Sequence, residues 1–424
     1  MKRDYIIYIL GLCAVVLITF FWNQPGFGYG LFILVGIYLL HQKYDFSYYV
    51  PLLILAPFII SRHPQAIYYF FLYAIILAII LILDFVKQYK FHRFGSLGLG
   101  LFLFLDAAAL SLFNAESVIL GLQGLILILI VFLLYLYFVN TIQANQAFII
   151  KIAFVFMMAA WVLFIQNIYL SLMSPLAFFD ADVTLMWAKP YEYPFIYVMS
   201  VPLTALYMLK SRNVIFGVIT WLMALLGLLL SAHMPSIFSV TVMFVVILIY
   251  FFKHEKSFYK PIMIGLATFI LIMVSLDFLM PNTPIRQHLL SHLAFHDALL
   301  RFEATLRHSR DIIFNHPILG HGGVYHIRTF IEEGALPSLD FQNILLLTMS
   351  MGTIGLIVFI YLLYKKIVLI MHSETQLRFA ILLLLLVTIF IQGIFIAVYY
   401  HPIFLISIFL WMAIIESDAK NRIV

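Results

Sequence analysis

Long unbroken apolar runs decide the solvent of this chain. Residues 213–232 carry no charged side chain, and residues 96–114 carry only Asp106. With 65% hydrophobic and 10% charged residues, and a mean hydropathy of +1.10, lipid surrounds most of the chain. Backbone groups in lipid must bond internally, so a helix or a closed barrel is required. The runs are continuous rather than alternating, which selects helices. The single cysteine, Cys13, excludes an intrachain disulfide and a cysteine-based metal site. Tyr5 to Phe21 follows Lys2 and Arg3 like a leader, but no small-residue cleavage pattern comes after it. A retained anchor is expected there.

About 14 segments approach spanning length. They are 5–21, 26–41, 47–61, 66–85, 96–114, 117–139, 149–169, 194–210, 213–232, 236–252, 261–280, 341–364, 379–398 and 402–416. With the N-terminus in the cytoplasm, alternation puts 17 of the 24 Lys and Arg inside and 7 outside. That bias places both termini inside. It also accounts for the net charge of +5 without a nucleic-acid partner. The expected fold is therefore an all-α polytopic membrane protein, one domain over 1–424. It has a small extracytoplasmic loop at 170–193 and a large one at 281–340.

The large loop holds five of the seven outside cations, Arg286, Arg301, Arg307, Arg310 and Arg328, and seven of the 14 histidines. Residues 285–314 lack Gly and Pro and read as helix. Asn315-His316-Pro317 should end it, because the residue before proline is pushed out of the α region. Gly320, Gly322 and Gly323 then form a turn whose backbone N–H groups are expected to face an anion. On that helix Asp297, Arg301 and His308 share one face. His288, His292, His296, Arg307 and Arg310 share another. Two polar stripes suit a helix wedged between the membrane body and a polar cavity.

Guanidinium is permanently charged, and its planar fork matches phosphate oxygens. Five arginines on the side that disfavours cations point to an anionic ligand, most simply a phosphate or pyrophosphate. Local i,i+4 pairs such as Asp297 with Arg301 and Glu303 with Arg307 are the bland account of each arginine taken singly. His288, His292 and His296 have a metal-compatible spacing, but no carboxylate or cysteine completes the set. They are read as an interfacial polar face, with no metal assigned.

Arg301, Arg307 and Arg310, followed by Asn315-His316-Pro317-Ile318-Leu319-Gly320-His321-Gly322, resemble the signature of the O-antigen ligase and O-antigen polymerase family. That signature is an Arg, a helix, and a turn of pattern Asp/Asn-x-Pro-Leu-Leu-Gly-x-Gly. Gln342-Asn343, then Gly352 and Gly355, resemble the family's His-Asn-x-x-Leu and Gly-x-x-Gly stretch, with Gln342 or Phe341 where the family has His. The family's upstream Ser-Arg appears as Ser231-Ala232-His233, and its Asn-Pro-Asn as Lys189-Pro190-Tyr191-Glu192. The resemblance covers about 301–360 and is architectural elsewhere. It implies a glycosyltransferase of the all-helical membrane type (GT-C-like) in a bacterial cytoplasmic membrane. It also implies transfer of a glycan from undecaprenyl pyrophosphate to an acceptor hydroxyl, with no metal or other cofactor. A flippase and a chain-length regulator are the implied partners. The favoured activity is polymerisation of O-antigen, capsular or exopolysaccharide repeats; ligation of a finished glycan to a lipid, protein or wall acceptor is the alternative.

By that resemblance Arg301 is the first candidate to hold the pyrophosphate, with Arg307, Arg310, His233 and Lys189 in support. Glu192, His321 and His326 are alternative bases for the acceptor hydroxyl. Gln342 and Asn343 are expected to position it through hydrogen bonds, and Gly320 and Gly322 to shape the turn. A polysaccharide flippase is the rival from another class. Its best feature is Asp106, an acid in the middle of a span.

Overall fold

The computed structural model describes residue 86 and residues 94–115, 118–142, 145–173, 194–231, 234–279, 309–310, 312–322, 343–391, 393 and 402–423. Among these residues the regular structure is helical, without a strand. We number the helices in chain order. They are α1 Gly98–Ser111, α2 Val118–Thr141, α3 Gln146–Met173, α4 Pro194–Ser211, α5 Val214–Ser231, α6 Met234–His254, α7 Tyr259–Leu279, α8 Asn343–Met371, α9 Thr375–Leu386 and α10 Pro402–Ile423. A 3-10 turn, Leu112–Asn114, follows α1, and a π-helical turn, Val387–Ile391, follows α9.

The expected segments from 96–114 to 341–364, and 402–416, coincide with these helices, and 379–398 is helical as far as residue 391, the rest of it lying largely outside the described residues. The four before 96–114, and residues 174–193, lie outside the described residues; residues 170–173, expected as loop, are the last turn of α3. Among the described residues, stretches within α3, α6 and α8 are long and apolar enough to cross a membrane by length and composition; the apolar stretches found in α1, α2, α4, α5 and α9 are shorter. Some helices outrun their apolar segments. α8 continues to Met371, which makes Lys366 helical instead of a loop residue, and α10 continues past Glu416, the last residue of its expected segment, to Ile423.

The helix starts follow local chemistry. Pro194 and Pro402 open α4 and α10, where a missing N–H costs nothing. Asn145 caps α3, its Oδ1 accepting from the Phe148 N–H at 2.8 Å. Replacing Asn145 by alanine should cost about 1 kcal/mol. That is readable as a small fall in thermal midpoint in detergent, and an unchanged midpoint would remove the cap from the account. Several hydroxyls inside the helices bond to the preceding turn, as Thr241 does to the Ile237 carbonyl at 2.8 Å.

Helix α4 packs against α3, α5, α6 and α9, while α1 packs against α2 and α8, and α10 against α2. Small residues permit close approach: Gly227 lies against the Tyr197 ring and Gly100 against Leu362 and Tyr361. Trp221 meets Phe244 edge-on at 5.0 Å and stacks near Phe251 at 6.0 Å.

Polar groups fasten one end of the bundle. Lys210 at the end of α4 pairs with Glu374 between α8 and α9, and the Glu374 N–H donates to Asp418 of α10 at 3.4 Å. Arg212 pairs with Glu255 at 2.7 Å. Glu416, 4% exposed, accepts from the Ser96 N–H at 3.0 Å and the Tyr135 hydroxyl at 2.7 Å. The Tyr135 oxygen in turn accepts from the Leu97 N–H at 3.1 Å. A carboxylate of α10 thus caps the start of α1 through a tyrosine of α2, where the helix dipole favours negative charge. Buried Lys366 of α8 sets its ammonium 4.3 Å from the Phe409 ring centroid, and Tyr135 meets the same ring edge-on at 5.9 Å.

Candidate functional site at the Gly352 helix break

The other end of α1 leads to the described part of the large loop. Ile312–Asn315 are helical and the helix stops at His316, as the proline that follows requires. Ser309 is buried. Arg310 is exposed, with its guanidinium carbon 5.6 Å from the Phe314 ring centroid.

Residues 317–322 then run along α8 at a point where that helix is broken. Gly352 has φ 62° and ψ −161°, far from helical values and in a region that L side chains rarely adopt. A broken helix orphans the last carbonyls of one half and the first N–H groups of the other, which is costly away from water. Here the turn supplies both kinds of partner. The His321 N–H donates to the Met349 carbonyl at 2.8 Å and the Gly322 N–H to the Ser350 carbonyl at 3.1 Å. In return, the Thr353 N–H donates to the Pro317 carbonyl at 2.9 Å and the Ile354 N–H to the Ile318 carbonyl at 3.3 Å. The exchange resembles a short strand pairing made by a turn and a helix break.

Glycine is needed on both sides of this seat. A Cβ on Gly352 would overlap the Ile318 carbonyl, and one on Gly320 (φ 73°) would stand 2.5 Å from the Met351 nitrogen. Asn114, just past α1, completes the seat by donating from Nδ2 to the Gly320 carbonyl at 3.0 Å.

One sequence expectation is corrected here. The N–H groups of the described part of the glycine turn are not presented to an anion, and Gly323 lies outside the described residues. Those of His321 and Gly322 go to α8, and that of Gly320 goes to the His316 carbonyl at 3.0 Å. The bonds of His321 and Gly322 make the turn a fixed connection to α8. His316 and His321 lie at the seat, both half-buried, with ring centroids 5.1 Å apart.

Of the candidate residues, Arg310, Gly320, His321 and Gly322 are placed at or just before this seat, and Asn343 opens α8. Arg301, Arg307, His326, Gln342, Lys189, Glu192 and His233 lie outside the described residues, as do His288, His292 and His296. Among the described residues no group of three or more His, Cys, Asp or Glu side chains is placed to hold a metal. Asp106 lies on an exposed part of α1.

Sequence reasoning missed Asn114 and the break at Gly352. Asn114 sits at the end of an apolar run like any interfacial asparagine, and its partner is 206 residues away. The paired glycines Gly352 and Gly355 in an apolar run were the available signal for the break. No protein-family model matches the chain, and no curated protein matches it.

Proposed function

We propose that the protein is a metal-independent glycosyltransferase of a bacterial cytoplasmic membrane. It moves a glycan from undecaprenyl pyrophosphate to an acceptor hydroxyl on the extracytoplasmic face, and polymerisation of surface-polysaccharide repeats is the favoured form. One observation supports this above the others. The two stretches that carry the family resemblance, residues 315–322 and 352–355, are joined to each other by backbone hydrogen bonds, although a loop of some length separates them in sequence. The described end of the arginine-bearing segment, with Arg310, is thereby tied to the helical bundle, which supports a reading in which a lipid diphosphate binds beside it.

In this reading the lipid lies between helices and its diphosphate meets the arginines. The bond between sugar C1 and the diphosphate oxygen breaks as the acceptor oxygen attacks C1 from the opposite face. The acceptor proton leaves to a base or to water, and the negative charge that develops on the departing diphosphate is met by guanidinium groups. His321, at the turn, remains one of the alternative bases beside Glu192 and His326.

The test is reconstitution. Purified protein in liposomes, given undecaprenyl-pyrophosphate-linked repeats, should lengthen the glycan and release undecaprenyl pyrophosphate. A flippase would move the lipid across the bilayer and form no glycosidic bond. Transbilayer movement without lengthening would overturn the transferase reading.

A further inference from the structure

We propose that Gly352 and Asn114 are positioning residues. Through the docked 317–322 turn they hold Arg310, which lies just before that turn, toward the donor diphosphate. The inference rests on the transferase reading.

The argument is one of levers. Arg310 lies seven residues before Pro317, and Arg307 and Arg301 lie further up the same stretch. At 1.5 Å per residue, Arg310 stands about 8 Å from the helix end at Asn315. A rotation of about 8° at that end would move it by about 1 Å, and a misplacement of about 1 Å can cost 100-fold in rate. The aim of Arg310 is therefore as good as the fixing of the turn. That fixing is unusually complete: four backbone hydrogen bonds to the broken helix and one side-chain bond from Asn114.

The bonds exist only because α8 is open at Gly352, and a continuous helix would keep the carbonyls of Met349 and Ser350 for itself. An apolar helix has no local reason to break where it would otherwise be satisfied. The break is explained by what it receives, and what it receives is the C-terminal end of the loop helix. Side chains are nearly absent from this clamp, so its geometry is set by backbone, the least variable part of the chain. Asn114 adds the one adjustable contact and ties the turn to α1 as well as α8. Gly322 presses on Ala115, so α1 supports the turn from the other side.

Three variants test the claim. Gly352→Ala would expel the turn. Asn114→Ala removes the side-chain donor, and Asn114→Asp keeps its shape but turns an acceptor toward the Gly320 carbonyl. The last two keep the proposal testable if Gly352→Ala does not fold. Each is purified as the full chain and its Thr353 and Ile354 amides are followed by hydrogen exchange. KM for the undecaprenyl-pyrophosphate-linked donor and KM for the acceptor are measured separately, since neither is altered by a loss of folded fraction.

The expected result is faster amide exchange and a donor KM raised about tenfold or more, with acceptor KM unchanged. Unchanged donor KM overturns the proposal, whether or not exchange accelerates. If the wild-type protein binds undecaprenyl pyrophosphate yet forms no glycosidic bond, the transferase reading fails alone. The positioning claim is then decided by Kd for that lipid: weaker binding in the variants supports it, and equal binding overturns it. If the wild-type protein does not bind the lipid, both fall.

Discussion

Arg301→Ala should lose glycan transfer by 100- to 1,000-fold while the protein still inserts, purifies and melts as the wild type does. The factor corresponds to about 3–4 kcal/mol, the usual loss when one fixed donor to a developing negative charge is removed from a site that excludes water. The direction follows from the chemistry of the leaving group. One further negative charge develops on the diphosphate as the sugar departs, and a fixed guanidinium beside it meets that charge.

Arg301→Lys separates charge from geometry. Lysine keeps the charge but not the planar fork, so its activity should fall between the wild type and the alanine variant. Arg307→Ala and Arg310→Ala should each have smaller effects, because their contribution is shared. The measurement is the initial rate of chain lengthening in liposomes at saturating acceptor. An Arg301→Ala protein as fast as the wild type would remove Arg301 from the diphosphate and return the arginine cluster to ordinary helix-surface pairing.

The bundle was legible in the sequence because lipid leaves so few choices. Apolar runs located α1 to α10 to within a few residues at most ends, for instance 194–210 against Pro194–Ser211. The stop at His316 was legible too, since it depends on one neighbouring proline. What could not be read was anything that depends on a distant partner. The break at Gly352 lies in a run with no local signal beyond its glycines, and it is stabilised by carbonyls and N–H groups of residues 317–322. The same distance effect misled the reading of the glycine turn: its N–H groups look available in sequence, but those of His321 and Gly322 are taken by α8. The ends of α8 and α10 were cut short because hydropathy falls where Lys366 and Glu416 enter. Both side chains are buried among other helices, so the helix goes on past the point where composition turns polar.

Glu416 gives the largest expected effect on stability. Its carboxylate joins α10 to the start of α1 and to α2, and the residues it serves lie 320 and 281 positions away in sequence. Glu416→Ala would leave the Ser96 N–H and the Tyr135 hydroxyl without their acceptor in a buried place, at about 1–3 kcal/mol each. With the lost packing, the total should reach about 3–5 kcal/mol, in the range of a buried polar contact broken from one side. Glu416→Gln retains an amide oxygen that can accept both bonds and should cost well under half as much. Tyr135→Phe removes the acceptor for the Leu97 N–H and a donor to Glu416. Because these bonds form one chain, the Glu416→Ala and Tyr135→Phe losses should add to less than their sum in the double variant. Thermal midpoints in detergent read all four proteins against the wild type. Additive losses would mean that Glu416 and Tyr135 act separately. A Glu416→Ala protein as stable as the wild type would mean that the start of α1 is held by its packing on α8 and α2 instead. The clasp lies at the opposite end of α1 from the Gly352 seat, so Glu416→Gln should leave donor KM unchanged and affect the protein only through its stability.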